Sequence, residues 1–256
     1  MKVEIALPVL NEERTLDAHV RKILSVIGEL FTDASRFSLV IADNGSTDRT
    51  QHIGEALARE SANVRYLRLP APGVGAALKS AWGSSHADIV GYMDLDLATD
   101  MKHLVEVMSA LETEGYDVCY GSRLHANSKV IGRKRSRELI SRVFNALLQF
   151  YVRARFSDGM CGFKFLRRAQ LGPIIARGAV SDGWFFSTEI LLAAERLGLR
   201  VKELPVQWTD DPDSRVRLVS LTLQYLRAMN VFRARDKVIA YDAEQKVKGD
   251  VAAGTS

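Results

Sequence analysis

The first 120 residues alternate short apolar runs with longer segments whose apolar residues recur every three or four positions. Val3–Leu7, Phe37–Ala42, Val64–Leu69 and Val118–Tyr120 are runs of strand length, rich in β-branched and aromatic residues. Asp88–Met93 is of the same kind and apolar enough to be covered on both faces, as parallel strands are. Between them, Glu13–Leu30 places Leu16, Val20, Ile23, Leu24 and Ile27 at helical spacing. Further helices are predicted over Thr50–Leu57, from about Ala76, and from about Met101 to Leu111. This alternation predicts an α/β fold with a mostly parallel sheet and right-handed crossovers.

The second half reads differently. Ser122–Arg155 shows no strand signal and carries Arg123, Lys129, Arg133, Lys134, Arg135, Arg137, Arg142, Arg153 and Arg155 against a single carboxylate, Glu138. Leu139, Val143, Ala146, Leu147, Phe150 and Tyr151 mark an amphipathic helix there. Strands are predicted at Gly162–Leu166 and Val201–Trp208, and helices near Arg168–Ala176 and Ser187–Leu197. Val216–Phe232 is a further amphipathic helix with Leu218, Leu221, Tyr225, Met229 and Phe232 on one stripe. The tail from about Asp242 is small and polar, and disorder is expected there.

At 256 residues and 47% hydrophobic the chain can bury one large core. Its two cysteines, Cys119 and Cys161, are far apart, so neither a disulfide framework nor a zinc site is expected and a cytoplasmic setting fits. No run reaches the roughly 18 apolar residues of a membrane span, and no secretory signal is read at the N-terminus. A soluble or peripheral protein is expected. The net charge of +4 suits anionic partners. Nucleic acid is not expected among them, because Phe144, Phe150 and Tyr151 fall on the apolar stripe rather than among the cations. The five histidines form no cluster.

Chemistry concentrates where the predicted parallel strands end, the edge at which open α/β sheets bind ligands. Asp94-Leu95-Asp96 sends two carboxylates off one strand together, a pattern that can hold a hard divalent cation and also a common solvated turn. Leu7-Pro8-Val9-Leu10-Asn11-Glu12-Glu13 follows the first strand, where Pro8 is expected to end pairing; Asn11 is either a ligand contact or a helix cap. Asp43-Asn44-Gly45-Ser46-Thr47-Asp48 follows the second. Gly73-Val74-Gly75 opens a helix, where glycines permit close backbone approach and the helix start favours anions.

Taken together, in this order and spacing, these segments resemble the family 2 glycosyltransferases of the GT-A, Rossmann-like fold. The resemblance runs over about residues 2–216 and continues in Gly121-Ser122-Arg123, Asp158-Gly159-Met160-Cys161-Gly162-Phe163-Lys164 and Pro205-Val206-Gln207-Trp208. These later motifs are similar to the branch that moves a hexose onto a polyprenyl (dolichyl-type) phosphate. It implies one catalytic domain over 1–240, with a nucleotide-sugar half (1–121) and an acceptor half (122–240) carrying the amphipathic helices. Pro8, Leu10, Asn11, Glu12, Asp43, Lys79 and Asp94 are then expected around the nucleotide-sugar, and Asp96 with Asp94 on Mg²⁺ or Mn²⁺. Arg123 is expected on a phosphate. Arg133, Arg137, Ser214 and Arg215 are candidates for the acceptor phosphate, with a solvated helix face as the alternative for Arg133 and Arg137. Asp158, Trp184 and Glu189 are placed on the acceptor side, Trp184 and Glu189 with an aromatic core and a helix-start carboxylate as the competing explanation.

Thr209 stands where mannosyl-transferring relatives carry Arg, and Trp208–Val216 is more similar to the glucosyl-type branch; a UDP-hexose is therefore expected over GDP-mannose. The alternative is transfer to a soluble hydroxyl, with Asp158 or Asp182 as general base. Membrane-surface contact on the cytoplasmic face through the basic segment and the Val216–Phe232 stripe is one expectation; packing of that stripe on the sheet, or in a dimer or against a separate membrane partner, is the other.

Overall fold

The computed structural model describes residues 1–210 and 224–239. Ser214, Arg215, Leu218, Leu221 and the tail beyond Asp242 lie outside the described residues. The apolar runs become β1 (Val3–Val9), β2 (Phe37–Asp43), β3 (Val64–Arg68), β4 (Ile89–Met93) and β5 (Val118–Ser122). The amphipathic segments between them become α1 (Leu16–Leu30), α2 (Thr50–Glu60), α3 (Val74–Gly83) and α4 (His103–Met108). Later come β6 (Lys129–Ile131), α5 (Arg135–Tyr151), β7 (Phe163–Arg167), α6 (Leu171–Ala176), α7 (Phe186–Arg196), β8 (Val201–Pro205) and β9 (Gln207–Thr209). A last helix, α8, spans 224–239.

Seven strands form one sheet in the order β3-β2-β1-β4-β7-β5-β8, and β6 pairs with β9 in a second, small sheet. β3, β2, β1 and β4 are mutually parallel, as expected. β7 runs antiparallel between β4 and β5, and β8 is parallel to β5. Strand side chains alternate between faces. Val3, Ile5, Leu7 and Val9 pack with α1, α2 and α4 residues, whereas Ala6, Val40 and Tyr92 pack with α3 and α5–α8.

Four expectations are corrected. β1 continues through Pro8, which pairs with Ala42; pairing with β4 stops at Ala6, leaving a free edge where a missing N–H is tolerated. A strand, β6, does form in Ser122–Arg155, at three residues too short to register as a pattern. The expected strand Val201–Trp208 is two, split at Val206, and its halves join different sheets.

The fourth concerns which helix shows its apolar side chains to solvent. α5 buries Ser141, Phe144, Asn145 and Leu148, while Leu139, Val143, Leu147 and Phe150 are exposed, Phe150 by 89%. Conversely Tyr225, Met229 and Phe232 of α8 are core residues, so of the two fates open to this stripe it takes packing inside the fold and not membrane contact. α8 lies beside α5: the rings of Phe144 and Tyr225 are 4.9 Å apart, and the Tyr151 hydroxyl donates to Asn230. No helix among the described residues is long and apolar enough to cross a membrane.

Candidate active site

The parallel strands deliver their C-terminal loops to one edge. Here β1 brings Leu10–Glu12, β2 brings Asp43–Ser46, β4 brings Asp94–Asp96 and β5 brings Arg123. β7 runs the other way, so its N-terminal end, preceded by Asp158–Gly162, reaches the same edge: Phe163 pairs with Met93.

The β1 and β2 loops are tied to each other. Asn11 adopts a positive φ of 57°, which asparagine tolerates, and its Oδ1 accepts the Thr47 N–H at 2.8 Å. Its own N–H donates to Ser46 Oγ at 2.9 Å, so Asn11 caps the neighbouring loop rather than α1. The Glu12 N–H donates to Thr50 Oγ1 at 2.8 Å, and its carboxylate accepts the Thr15 hydroxyl at 2.7 Å; Leu10 is exposed. Asp43 is fully buried, accepting the Ser46 N–H at 2.8 Å and the Tyr66 hydroxyl. As placed, it shapes the loop instead of facing solvent. Asn44, not among the expected site residues, is buried with Oδ1 lacking a partner among the described residues. An unpaired buried amide oxygen is costly and points to a ligand; only packing exposes that signal.

Asp94 and Asp96 leave β4 together. The Asp94 N–H donates to Gly162 O at 3.1 Å, and a Cβ on Gly162 would lie 1.9 Å from Asp94 Oδ2, so the carboxylate rests on a bare α-carbon. Burial and the charge of Asp96 push the Asp94 carboxyl up to about 7, against the pull of Arg123 and Lys164. Asp96 is exposed, and its Oδ1 accepts the Ala98 N–H at 3.0 Å, with Leu97 held at φ 57°. A non-glycine residue there is strained, as functional loops often are. No group of three or more His, Cys, Asp or Glu among the described residues could enclose an ion. Two mutually repelling carboxylates still fit a hard cation whose other positions go to diphosphate oxygens and water.

Arg123 donates to Asp158 through Nε (2.7 Å) and Nη2 (2.9 Å), and its backbone N–H adds a third bond to Asp158 Oδ2 at 3.1 Å. Burial alone would raise the Asp158 carboxyl, but the guanidinium outweighs it and holds the group at about 2. Lys164, buried in the otherwise apolar strand Phe163-Lys164-Phe165-Leu166, donates to Cys161 O at 2.6 Å and Gly159 O at 3.1 Å. It props the Asp158–Gly162 loop. Burial lowers its ammonium to about 8. A lone lysine inside an apolar run was the available sequence clue.

Arg133 and Arg137 flank the start of α5. Arg137 pairs with Asp210 at 2.8 Å. Arg133 donates to Ser141 Oγ, and its buried Nε lacks a partner. Burial, then the nearby Arg123 charge, lowers the Arg133 guanidinium. The guanidinium carbons of Arg123 and Arg133 stand 5.5 and 5.6 Å from the Trp208 ring centroid.

Other candidates sit elsewhere. A Cβ on Gly75 would lie 2.2 Å from Ser181 O, and the Ala76 N–H donates to Asp182 O at 3.1 Å. The close approach permitted by these glycines is thus made by the 181–183 backbone. The Lys79 ammonium binds Val180 O (2.6 Å) and Asp182 (2.7 Å), away from the Asp43 loop. Glu189 is buried, accepting the Val180 and Ser181 N–H groups at 2.9 and 2.8 Å and the Ser181 hydroxyl at 2.6 Å; its part is to hold this loop. Trp184, half exposed, lines a cavity of about 250 Å³ with Tyr225.

A model described as glycosyl transferase family 2 matches residues 4–172. The glycosyltransferase AglD of Haloferax volcanii is 37% identical over 86% of this chain, which spans 35% of that protein's length. A Saccharomyces cerevisiae dolichyl-phosphate beta-glucosyltransferase is 25% identical over 90% of the chain and 74% of its own length. The fold is shared with glucosyl-3-phosphoglycerate synthase of Mycobacterium tuberculosis, solved with Mn²⁺, UDP and glucosyl-3-phosphoglycerate. The TM-score is 0.63 at 21% identity, covering 92% of this chain and 80% of that one. The matched span contains the carboxylates at the end of β4 and the Arg123–Asp158 pair, and it exceeds half the chain: the protein belongs to glycosyl transferase family 2.

Proposed function

We propose that the enzyme transfers a hexose from a UDP-sugar to a polyprenyl-type lipid phosphate, with Asp96 and Asp94 holding Mg²⁺ or Mn²⁺. Residues 1–121 serve the donor and 122–240 the acceptor. The names of the dolichyl-phosphate beta-glucosyltransferases support a lipid-phosphate acceptor, and the Mn²⁺ and UDP of the structural neighbour support the donor side.

The observation that carries the acceptor reading is the state of Asp158. A carboxyl held at about 2 by a bidentate arginine is a poor proton acceptor at neutral pH. Asp182, the other candidate base, is an exposed partner of Lys79. A hydroxyl acceptor is therefore left without either base expected for it. A phosphomonoester is already largely ionised near pH 7, its second pKa being about 6, and needs none. Its oxygen attacks the anomeric carbon from the face opposite the diphosphate; the new C–O bond forms as the old one breaks, inverting the centre and releasing UDP. A divalent cation, when bound, supplies Lewis-acid stabilisation of the departing diphosphate. Arg123, clamped by Asp158, keeps Nη1 for the acceptor, and Arg133 adds a second positive charge.

The test is transfer from UDP-glucose and GDP-mannose to a polyprenyl phosphate and to phosphoglyceric acid, with and without chelator. UDP-glucose and the lipid phosphate are the expected pair, with activity lost in chelator and in Asp96→Ala while the fold survives. Full activity in chelator, preference for GDP-mannose, or use of phosphoglyceric acid alone would each overturn the corresponding part.

A further inference from the structure

We propose that Trp208 is a positioning residue: its indole sets Arg123 and Arg133 as a pair to grip one phosphomonoester dianion at a fixed place relative to the donor. This rests on the phosphate-acceptor reading above and adds a residue to it.

Two like charges with no anion between them repel, and burial makes the repulsion worse. Yet both guanidiniums stand over the same ring, at 5.5 and 5.6 Å from its centroid. The negative face of an indole is the best aromatic partner for a cation and can offset part of that repulsion. Asp158 neutralises Arg123. Among the described residues Arg133 has a serine hydroxyl as hydrogen-bond partner, no ion pair, and a buried Nε without any partner. A half-buried guanidinium with an unpartnered buried Nε and no ion pair among the described residues has donors left for an anion, and the forked donors of arginine match phosphate oxygens.

The backbone of Trp208 shows why this residue also fixes the place. In β9 it pairs with Val130 of β6, two residues after Ser128 and three before Arg133. On its other side it bridges to Thr99, three residues beyond Asp96. Thr209 N–H donates to Ala98 O at 2.8 Å, and Asp100 N–H donates to Gln207 O at 3.0 Å. The strand carrying the indole thus lies between the Asp94–Asp96 loop and the segment that brings Arg133. These links are main-chain bonds, so replacing the side chain leaves them intact and isolates the role of the ring.

The experiment uses the full chain, Trp208→Phe and Trp208→Gln, checked first for unchanged thermal unfolding. Steady-state transfer from UDP-glucose is measured with a short-chain polyprenyl phosphate and, separately, with phosphoglyceric acid. UDP binding with Mn²⁺ and binding of the short-chain polyprenyl phosphate are measured by calorimetry. The expected result is graded: KM for the lipid phosphate rises about threefold in the Phe variant and about tenfold or more in the Gln variant. The turnover number falls less than KM rises, and UDP affinity stays at the wild-type value. If the Gln variant does not fold, the Phe variant decides, since an unchanged KM there already contradicts the grading. Unchanged acceptor KM and affinity in the folded variants overturn the positioning role while leaving the acceptor class intact. Parallel loss of UDP and acceptor binding assigns Trp208 to general structure and also overturns it. Wild type that uses phosphoglyceric acid with the same graded loss upholds the clamp and reassigns its phosphate to a soluble source. Wild type that binds neither phosphomonoester overturns the acceptor reading, and the clamp with it.

Discussion

Asp158 shows at the scale of one residue how the site is held. Its carboxylate is fully buried and its charge survives because Arg123 meets it with two side-chain bonds and a backbone one. Its folded pKa, about 2, lies below the ordinary carboxylate value near 3.9, so it stabilises the fold fully above about pH 4, and that contribution is lost as pH falls towards 2. A shift of this size corresponds to about 2–3 kcal/mol. Asp158→Asn leaves Arg123 buried without its counter-charge, at a cost of about 3–5 kcal/mol near pH 7. Urea unfolding from pH 6 to pH 2 should show wild type losing its advantage over Asp158→Asn as the medium becomes acidic. Parallel curves would contradict the pairing. The motif made Asp158 visible in the sequence, but its partner, and so its unfitness as a base, followed only from packing.

Among the elements, α3 and α5 show what periodicity can and cannot read. The α3 glycines were legible as a place of close approach, but the approaching group is the chain's own 181–183 backbone. Gly75→Ala puts a methyl 2.2 Å from Ser181 O and 2.6 Å from Phe186 Cβ, and overpacking of this kind costs about 1–3 kcal/mol. Calorimetry should find a lower melting temperature, with UDP binding retained because the Asp94–Asp96 loop is not involved; an unchanged melt would refute the contact. In α5 the buried face includes Ser141 and Asn145, whose amide donates to Ser141 O at 2.9 Å and accepts the Gly159 N–H at 2.8 Å. A helix that must satisfy a buried loop turns polar residues inward. An apolarity count therefore selects the wrong face.

For the whole molecule, the consequence is an exposed apolar stripe on α5, Leu139, Val143, Leu147 and Phe150, with exposed Leu226, Val231 and Val238 on neighbouring α8. The same two helices and the residues next to them carry exposed cations: Lys134, Arg135, Arg142, Arg153, Arg155, Arg227, Arg233 and Arg235. Such a face suits an anionic bilayer, where each cation near the surface contributes about 1 kcal/mol and the apolar side chains add burial. Because α5 begins beside Arg133 and Arg137, docking this face would bring the site to the lipid phosphates. Co-sedimentation should show binding to anionic vesicles that weakens with salt, since exposed charges are screened over roughly 8 Å at physiological ionic strength. Val143→Glu with Leu147→Glu should release the protein from vesicles yet preserve transfer to a short-chain, soluble acceptor. Indifference to anionic vesicles at low salt would remove the membrane from the account.

Period-two and period-3.6 patterns are local, and they were enough for β1–β5, the helices between them and the strand ends where Asp43, Asp94, Asp96 and Arg123 would gather. A parallel sheet needs little more, because its strands must be apolar and its loops polar. The sequence alone could not settle relations between distant segments, since no short pattern encodes them. Tertiary packing placed Lys79 on Asp182, buried Asp43, paired Asp158 with Arg123 and set Trp208 against two arginines. It also chose which helix shows its apolar face. Each of these outcomes depends on what a side chain meets across the fold, and burial, charge and hydrogen bonding acquire their values only there.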